Sequence, residues 1–148
     1  MSLLPLTFLL PLAGTLILTL SRGRLGAQSC AAVGVASVGL AALVTALVGW
    51  RFLTDGGQGI GITLWTWVAI GDFQPTIGLS LDGLSLTMLG IVTGVGFLIH
   101  LFAVWYMQGD DGVRRFYAYM NLFVAGMLLL VLGDNLLLLY LGWESVGL

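Results

Sequence analysis

"LDGLSLTMLGIVTGVGFLIHLFAVWYM", residues 81–107, carries no charged side chain after Asp82. A helix needs about 20 consecutive apolar residues to cross a hydrocarbon core about 30 Å thick. This stretch therefore predicts a transmembrane helix over about 84–106, and the same length rule applied outward predicts others at about 3–20, 29–50 and 116–132. A fifth run starts at 135 and continues to 148. At 1.5 Å per residue those fourteen positions reach only about 21 Å, so this last helix is expected to be incomplete. The expected fold is an all-α, polytopic transmembrane bundle of about five helices, the last one truncated. Composition agrees: hydrophobic residues make up 59% and charged residues 8%, where a soluble domain has about 25% charged. The mean hydropathy is +1.06.

Charge excludes some functions and orients the chain. Net charge is -2, and all five basic residues are arginine, so no basic patch exists to bind nucleic acid. Arg22, Arg24, Arg114 and Arg115 fall in the loops after helices one and three, which must share a side, whereas Arg51 lies opposite, beside Asp55. By the positive-inside rule these odd loops are cytoplasmic and the amino terminus is outside. No positive charge precedes the first apolar run and arginines follow it, which is the polarity of a retained helix rather than a cleaved leader. Asp110 and Asp111 read as a solvated turn. Cys30, the single cysteine, excludes a disulfide framework or a Cys/His zinc site and reads as a small packing residue.

The segment 52–82 differs from the rest. A Gly-rich stretch leads into β-rich "ITLWTWVAI", a Gly71-Asp72 turn, and Ile77, Leu79 and Leu81 alternating with Thr76, Gly78 and Ser80. Alternation at period two flanking a turn predicts a small β-hairpin on the outer, periplasmic face. Trp65 and Trp67 then sit at headgroup depth or dock a neighbouring subunit.

Glu144 is the chain's one glutamate, in "NLLLLYLGWESVGL" (135–148). Nine helical steps from Asn135 place it about 14 Å deep, near the middle of the bilayer core. A charge there costs from about 3 kcal/mol upward, so a carboxyl at that depth faces other helices or internal water. Desolvation favours its protonated form, and an approaching cation favours release, which is the chemistry of an intramembrane proton carrier. The alternative is a structural glutamate that only fixes helix packing. Tyr140, one turn earlier, is its expected hydrogen-bond partner, and Gly142, Ser145 and Gly147 leave room beside it. His100, the one histidine, is a second candidate for proton transfer, with a reference pKa near 6.5 and Thr93 and Gly96 on its face to admit water. Asp82 and Asp134 precede helices three and five as helix caps and are candidates to support the proton site. Gly90 and Gly94 form a GxxxG spacing that permits close helix contact. No Gly-rich strand-to-helix loop offers a nucleotide or flavin site, so redox cofactors are expected on other chains.

"SRGR" (21–24), "LWTW" (64–67), the 81–107 string, "RRFYAYMNLF" (114–123) and "DNLLLLYLGWESVGL" (134–148) together resemble the amino-terminal part of the subunit L family of bacterial NADH-quinone oxidoreductase, respiratory complex I, over the whole chain. The resemblance implies an antiporter-like membrane subunit, related to Mrp-type antiporter subunits, with two inverted five-helix repeats. It implies no redox centre here, with NADH, FMN, iron-sulfur clusters and quinone held by other subunits. The implied partners are other membrane-arm subunits, especially subunit M, and the lipid of the bacterial inner membrane. The glutamate of the family's GWE motif, a proton-channel residue paired with a lysine on helix seven, falls on Glu144; a serine follows it where many relatives have glycine. This chain has no lysine, so as written it could not pump, and it is expected to be a truncated copy or part of a longer protein. The function expected is part of a proton channel driven by electron transfer elsewhere. Mrp-type antiporter and membrane-bound hydrogenase subunits remain alternatives, as does a structural scaffold in another class.

Overall fold

In a computed structural model, which describes residues 3–68 and 74–147, the chain is five helices and one two-stranded sheet. Helix α1 spans Leu6–Leu20, α2 Ala27–Thr54, α3 Gly83–Tyr106, α4 Val113–Leu132 and α5 Leu136–Gly147. Strands β1 (Ile60–Thr66) and β2 (Thr76–Leu81) pair antiparallel between α2 and α3. Helices α2, α3 and α4 are long and apolar enough to cross a membrane. Helix α1, where a span over about 3–20 is expected, is apolar but shorter than these three, with 15 residues, about 22 Å of rise. Helix α2 is longer than expected, with 28 residues, because nothing in "VGWRFLT" breaks a helix before the glycines at 56 and 57.

Helix α4 lies at the centre and packs against each of the other four. Two apolar clusters fill the bundle, one at each end. Leu4, Phe52, Leu89 and Leu132 gather at one end beneath Leu79 and Leu81 of the hairpin, while Leu18, Cys30, Ala103 and Tyr117 gather at the other. Successive helices therefore run in opposite directions. The α1–α2 and α3–α4 loops share the end that carries four of the five arginines. Arg22 and Gly23 take left-handed backbone angles, φ 47° and 85°, to reverse the chain there within six residues.

The hairpin forms because alternating apolar side chains on β2 have the bundle end to pack on. Leu79 and Leu81 are buried, while Trp65 and Trp67 stand exposed. Thr63 pairs with Gly78 and Trp65 with Ile77, leaving Leu64 as a bulge. The expected Gly71-Asp72 turn, with Ala69 and Ile70 before it, lies outside the described residues. Leu79 bridges to Gly133, and the side-chain amide of Asn135 donates to the Thr76 carbonyl at 2.7 Å, so the hairpin is fastened to the α4–α5 corner.

Candidate functional site

Glycine sets the direction in which Glu144 points. A methyl group at Gly142 would lie 2.6 Å from the Leu130 nitrogen and 2.7 Å from its Cα, and one at Gly126 would lie 3.0 Å from the Ser145 Cβ. Bare backbone on both sides thus brings α5 onto α4. At about 100° per residue, Glu144 is turned about 200° from Gly142, and it is exposed on the far side of α5 from α4. It stands about 12 Å along α5 from Leu136. Tyr140, one turn earlier, stands within electrostatic reach of the Glu144 carboxyl. The small residues do not all serve the carboxyl: Gly142 and Ser145 admit α4, and Ser145 Oγ donates back to the Leu141 carbonyl at 2.8 Å. Only Gly147 of the three leaves open space on the Glu144 side.

His100 lies elsewhere, 1% exposed on α3, where α3 meets α2 and α4. Its Nδ1 is 2.7 Å from the Gly96 carbonyl and its Nε2 is 3.0 Å from Asn121 Oδ1. Asn121 Nδ2 donates to Ser37 Oγ at 2.9 Å, and Ser37 Oγ donates to the Gly34 carbonyl at 2.9 Å. The Tyr117 hydroxyl donates to the His100 carbonyl at 3.3 Å, and the two rings are 5.9 Å apart between centroids. Gly96 is a neighbour as expected, but as a hydrogen-bond acceptor; it does not open space for water. Thr93 donates its hydroxyl to the Leu89 carbonyl at 2.7 Å. Asn121 and Ser37 were not singled out from sequence, although an asparagine within apolar "NLFVAGMLLLVL" is the kind of residue a bilayer tolerates only with a partner.

Of the two acidic candidates, Asp82 caps α3 as expected, accepting the Ser85 N–H at 2.7 Å. That bond, the largest influence on it, holds its carboxyl below the usual carboxylate range. Asp134 does not cap α5. Asn135 does, accepting from the N–H groups of Leu137 and Leu138 at 3.1 Å each, while Asp134 lies against Gly78 of the hairpin and accepts from the Asn135 amide at 2.7 Å. Neither aspartate is brought near Glu144 or His100: both sit at the hairpin end of the bundle. Gly90 and Gly94 make no close helix contact among the described residues. Methyl groups there would meet nothing, whereas one at Gly96 would touch Val124 and Val38 at ordinary contact distance, so Gly96 is the α3 glycine that packs. Cys30 is buried, as a packing residue should be. A cavity of about 320 Å³ lined by Leu4, Arg51, Phe52 and Leu81 lies under the hairpin and includes neither proton candidate. Among the described residues no group of three or more His, Cys, Asp and Glu side chains is placed to hold a metal ion.

Residues 67–117, which hold His100 and its Tyr117 neighbour, match the family described as NADH-ubiquinone oxidoreductase (complex I), chain 5 N-terminus. Over all 148 residues the chain is 60% identical to NADH-quinone oxidoreductase subunit L of Escherichia coli (strain K12). The chain belongs to the subunit L family. It is also 60% identical to the subunit L of Pseudomonas aeruginosa, again with all of the chain matched. The Mycobacterium tuberculosis subunit L is 44% identical over 144 residues, covering 94% of this chain. The chain spans about a quarter of the length of these relatives, 24% for the first two and 22% for the third.

Proposed function

We propose that this chain is the amino-terminal part of a membrane-arm subunit of a proton-translocating NADH:quinone oxidoreductase, and that Glu144 is one of the groups that load and release the proton. The observation that carries the reading is identity of 60% along the whole chain to proteins named NADH-quinone oxidoreductase subunit L. The geometry of α5 supports it. A carboxyl at mid-depth on an outward face costs from about 3 kcal/mol upward against acyl chains, so that face calls for further protein or water. A helix carrying a cation beside Glu144 would bias its proton affinity, and Glu144 would in turn bias the cation's. The resemblance supplies a lysine for that role, from a helix outside this chain.

In this reading the arginine-rich end faces the cytoplasm, the hairpin and amino terminus face the periplasm, and the membrane is the bacterial inner membrane. Other membrane-arm subunits, subunit M among them, are the neighbours, and the exposed Trp65 and Trp67 meet lipid headgroups or such a neighbour. The redox cofactors belong to other chains of the complex. Tyr140 orients the Glu144 carboxyl, while Asp82 acts at a distance by capping α3 and Asp134 by accepting from the Asn135 amide at the hairpin corner.

The test is Glu144→Gln in the full-length subunit, assembled in its complex in inverted membrane vesicles. Glutamine keeps the size and hydrogen bonding of the side chain and removes its titration. Proton uptake per NADH oxidised is expected to fall while the complex still assembles. Wild-type pumping at wild-type NADH oxidation would exclude the proton role and leave Glu144 a packing residue.

A further inference from the structure

A buried imidazole normally presents one donor and one acceptor. His100 instead meets two acceptors, the Gly96 carbonyl at 2.7 Å from Nδ1 and Asn121 Oδ1 at 3.0 Å from Nε2. Every bond in the row points away from the ring: His100 to Asn121, Asn121 Nδ2 to Ser37 Oγ, and Ser37 to the Gly34 carbonyl. With the amide turned this way both ring nitrogens donate, as they do in the protonated ring. Removing the Nε2 proton sets a lone pair against Oδ1. A half-turn of the Asn121 amide relieves this, since Nδ2 then donates to Nε2 and Oδ1 turns to Ser37, whose hydroxyl swings from the Gly34 carbonyl to meet it. The Gly34 carbonyl keeps its place in the α2 helical ladder, so both arrangements leave the buried groups bonded.

We propose that His100, Asn121 and Ser37 form a proton-linked switch joining α3, α4 and α2, in which the charge on His100 fixes the direction of the Asn121 amide and the Ser37 hydroxyl. Close packing makes the row discrete. A methyl at Gly14 of α1 would collide with Asn121 Nδ2 and lie 2.6 Å from Ser37 Oγ, so α1 presses bare backbone on the row and leaves no room there for a bridging water. The proton has a way in. A cavity of about 290 Å³ at the arginine-bearing end is lined by Gln28, Ala31, Ala103, Met107, Gln108 and Tyr117, and Ala103 is one turn beyond His100. Tyr117 lines that cavity and packs 5.9 Å from the imidazole between centroids, so exchange of the Nε2 proton with water there requires the Tyr117 ring to move aside.

The titratable surroundings of the ring are sparse. From α4 it faces Tyr117, at 5.9 Å between centroids. Helix α2 presents Ser37 at this level and Cys30 nearer the arginine-bearing end, in the cluster that holds Tyr117 and Ala103. Helix α1 contains no titratable residue, and α3 offers none besides His100 within its membrane-spanning length except Tyr106 at its end. Glu144 is on the far face of α5, so the switch stands whether or not the Glu144 reading holds.

The test uses the full-length subunit in its assembled complex, with asparagine labelled with 13C at the side-chain carbonyl and histidine labelled in the ring. Infrared difference spectra between acid and alkaline pH are compared among variants. The wild type is expected to show a histidine protonation band and an asparagine carbonyl shift that titrate together, with both lost in His100→Gln and both kept in Glu144→Gln. Asn121→Ser is expected to lose the carbonyl shift alone and to move the midpoint of the histidine band. No carbonyl shift in the wild type, or one that survives His100→Gln, overturns the switch. Should His100→Gln fail to assemble, Ser37→Ala decides: a changed midpoint or amplitude of the carbonyl shift supports the row, and an unchanged one overturns it.

Discussion

Replacing Gly142 by alanine tests the packing that aims Glu144. The added Cβ would lie 2.6 Å from the Leu130 nitrogen and 2.7 Å from the Leu130 Cα and Cβ. Two of these atoms are backbone, inside the 20-residue helix α4, so no rotamer change makes room. Restoring ordinary contact at roughly 3.5 Å requires α5 to move off α4 by about 1 Å. That shift loosens the neighbouring contacts of Gly126 with Ser145 and of Gly133 with Leu138. Overpacking of this kind costs about 1–3 kcal/mol. Gly90→Ala is the control, because its methyl meets nothing among the described residues and alanine gains about 0.5–1 kcal/mol over glycine in a helix interior. Thermal denaturation of the assembled full-length protein in detergent, followed by loss of the monodisperse peak, should rank Gly90→Ala at or above wild type and Gly142→Ala below both. A Gly142→Ala protein as stable as the control would refute the α4–α5 seam, and with it the direction assigned to Glu144.

Asn135→Ala removes the cap of α5 and a tie to the Thr76 carbonyl. A cost of about 1–2 kcal/mol is expected, read as faster hydrogen exchange at Leu137 and Leu138, with Asp134→Ala milder. Asp82→Ala should lower thermal stability and Asp82→Asn should retain most of it, since asparagine also caps. Because its capping bond holds Asp82 below its unfolded value of about 3.9, this contribution is complete above about pH 4 and is lost as pH falls through the folded pKa. A wild-type minus Asp82→Ala difference that persists unchanged well below that range would contradict the assignment. Among the described residues the Thr45 hydroxyl is buried without a hydrogen-bond partner. Thr45→Val should therefore stabilise by about 1–2 kcal/mol, and a destabilised valine variant would reveal a partner for that hydroxyl.

The parts of the fold that could be read from the sequence are those fixed by one segment's own chemistry. Unbroken apolar length marks α2, α3 and α4, alternation marks β2, and Asp82 caps α3 because no better capping residue stands beside it. Choices between neighbours were not legible. Asp134 and Asn135 are both capping residues one position apart, and the hairpin decides between them: Gly78 offers Asp134 a bare surface to lie on, which leaves Asn135 to face the first N–H groups of α5. The Gly90–Gly94 spacing likewise states that small residues share a face without saying whether another helix covers it. That depends on Leu89, Thr93, Gly96 and His100, whose burial turns the opposite side of α3 inward.

The same distinction separates the two proton candidates. Glu144 is conspicuous in sequence because its depth alone makes it costly against acyl chains, whereas what relieves that cost depends on the way it faces. Its direction is set by Gly142, through contacts with a helix that the local sequence does not mention. His100 is the reverse case. Its meaning lies in Asn121 and Ser37, 21 and 84 residues apart along the two links of the row, and an imidazole between two acceptors is a different chemical object from an imidazole in a helix. Gly14 completes the row by contributing no side chain, which sequence reasoning cannot distinguish from any other glycine in a chain that has 22. Gly14→Ala should accordingly act like a lesion in Asn121, suppressing the asparagine carbonyl shift while leaving Glu144-dependent pumping to be measured separately. A carbonyl shift of full size in that variant would show that the amide has room to turn without the close approach of α1.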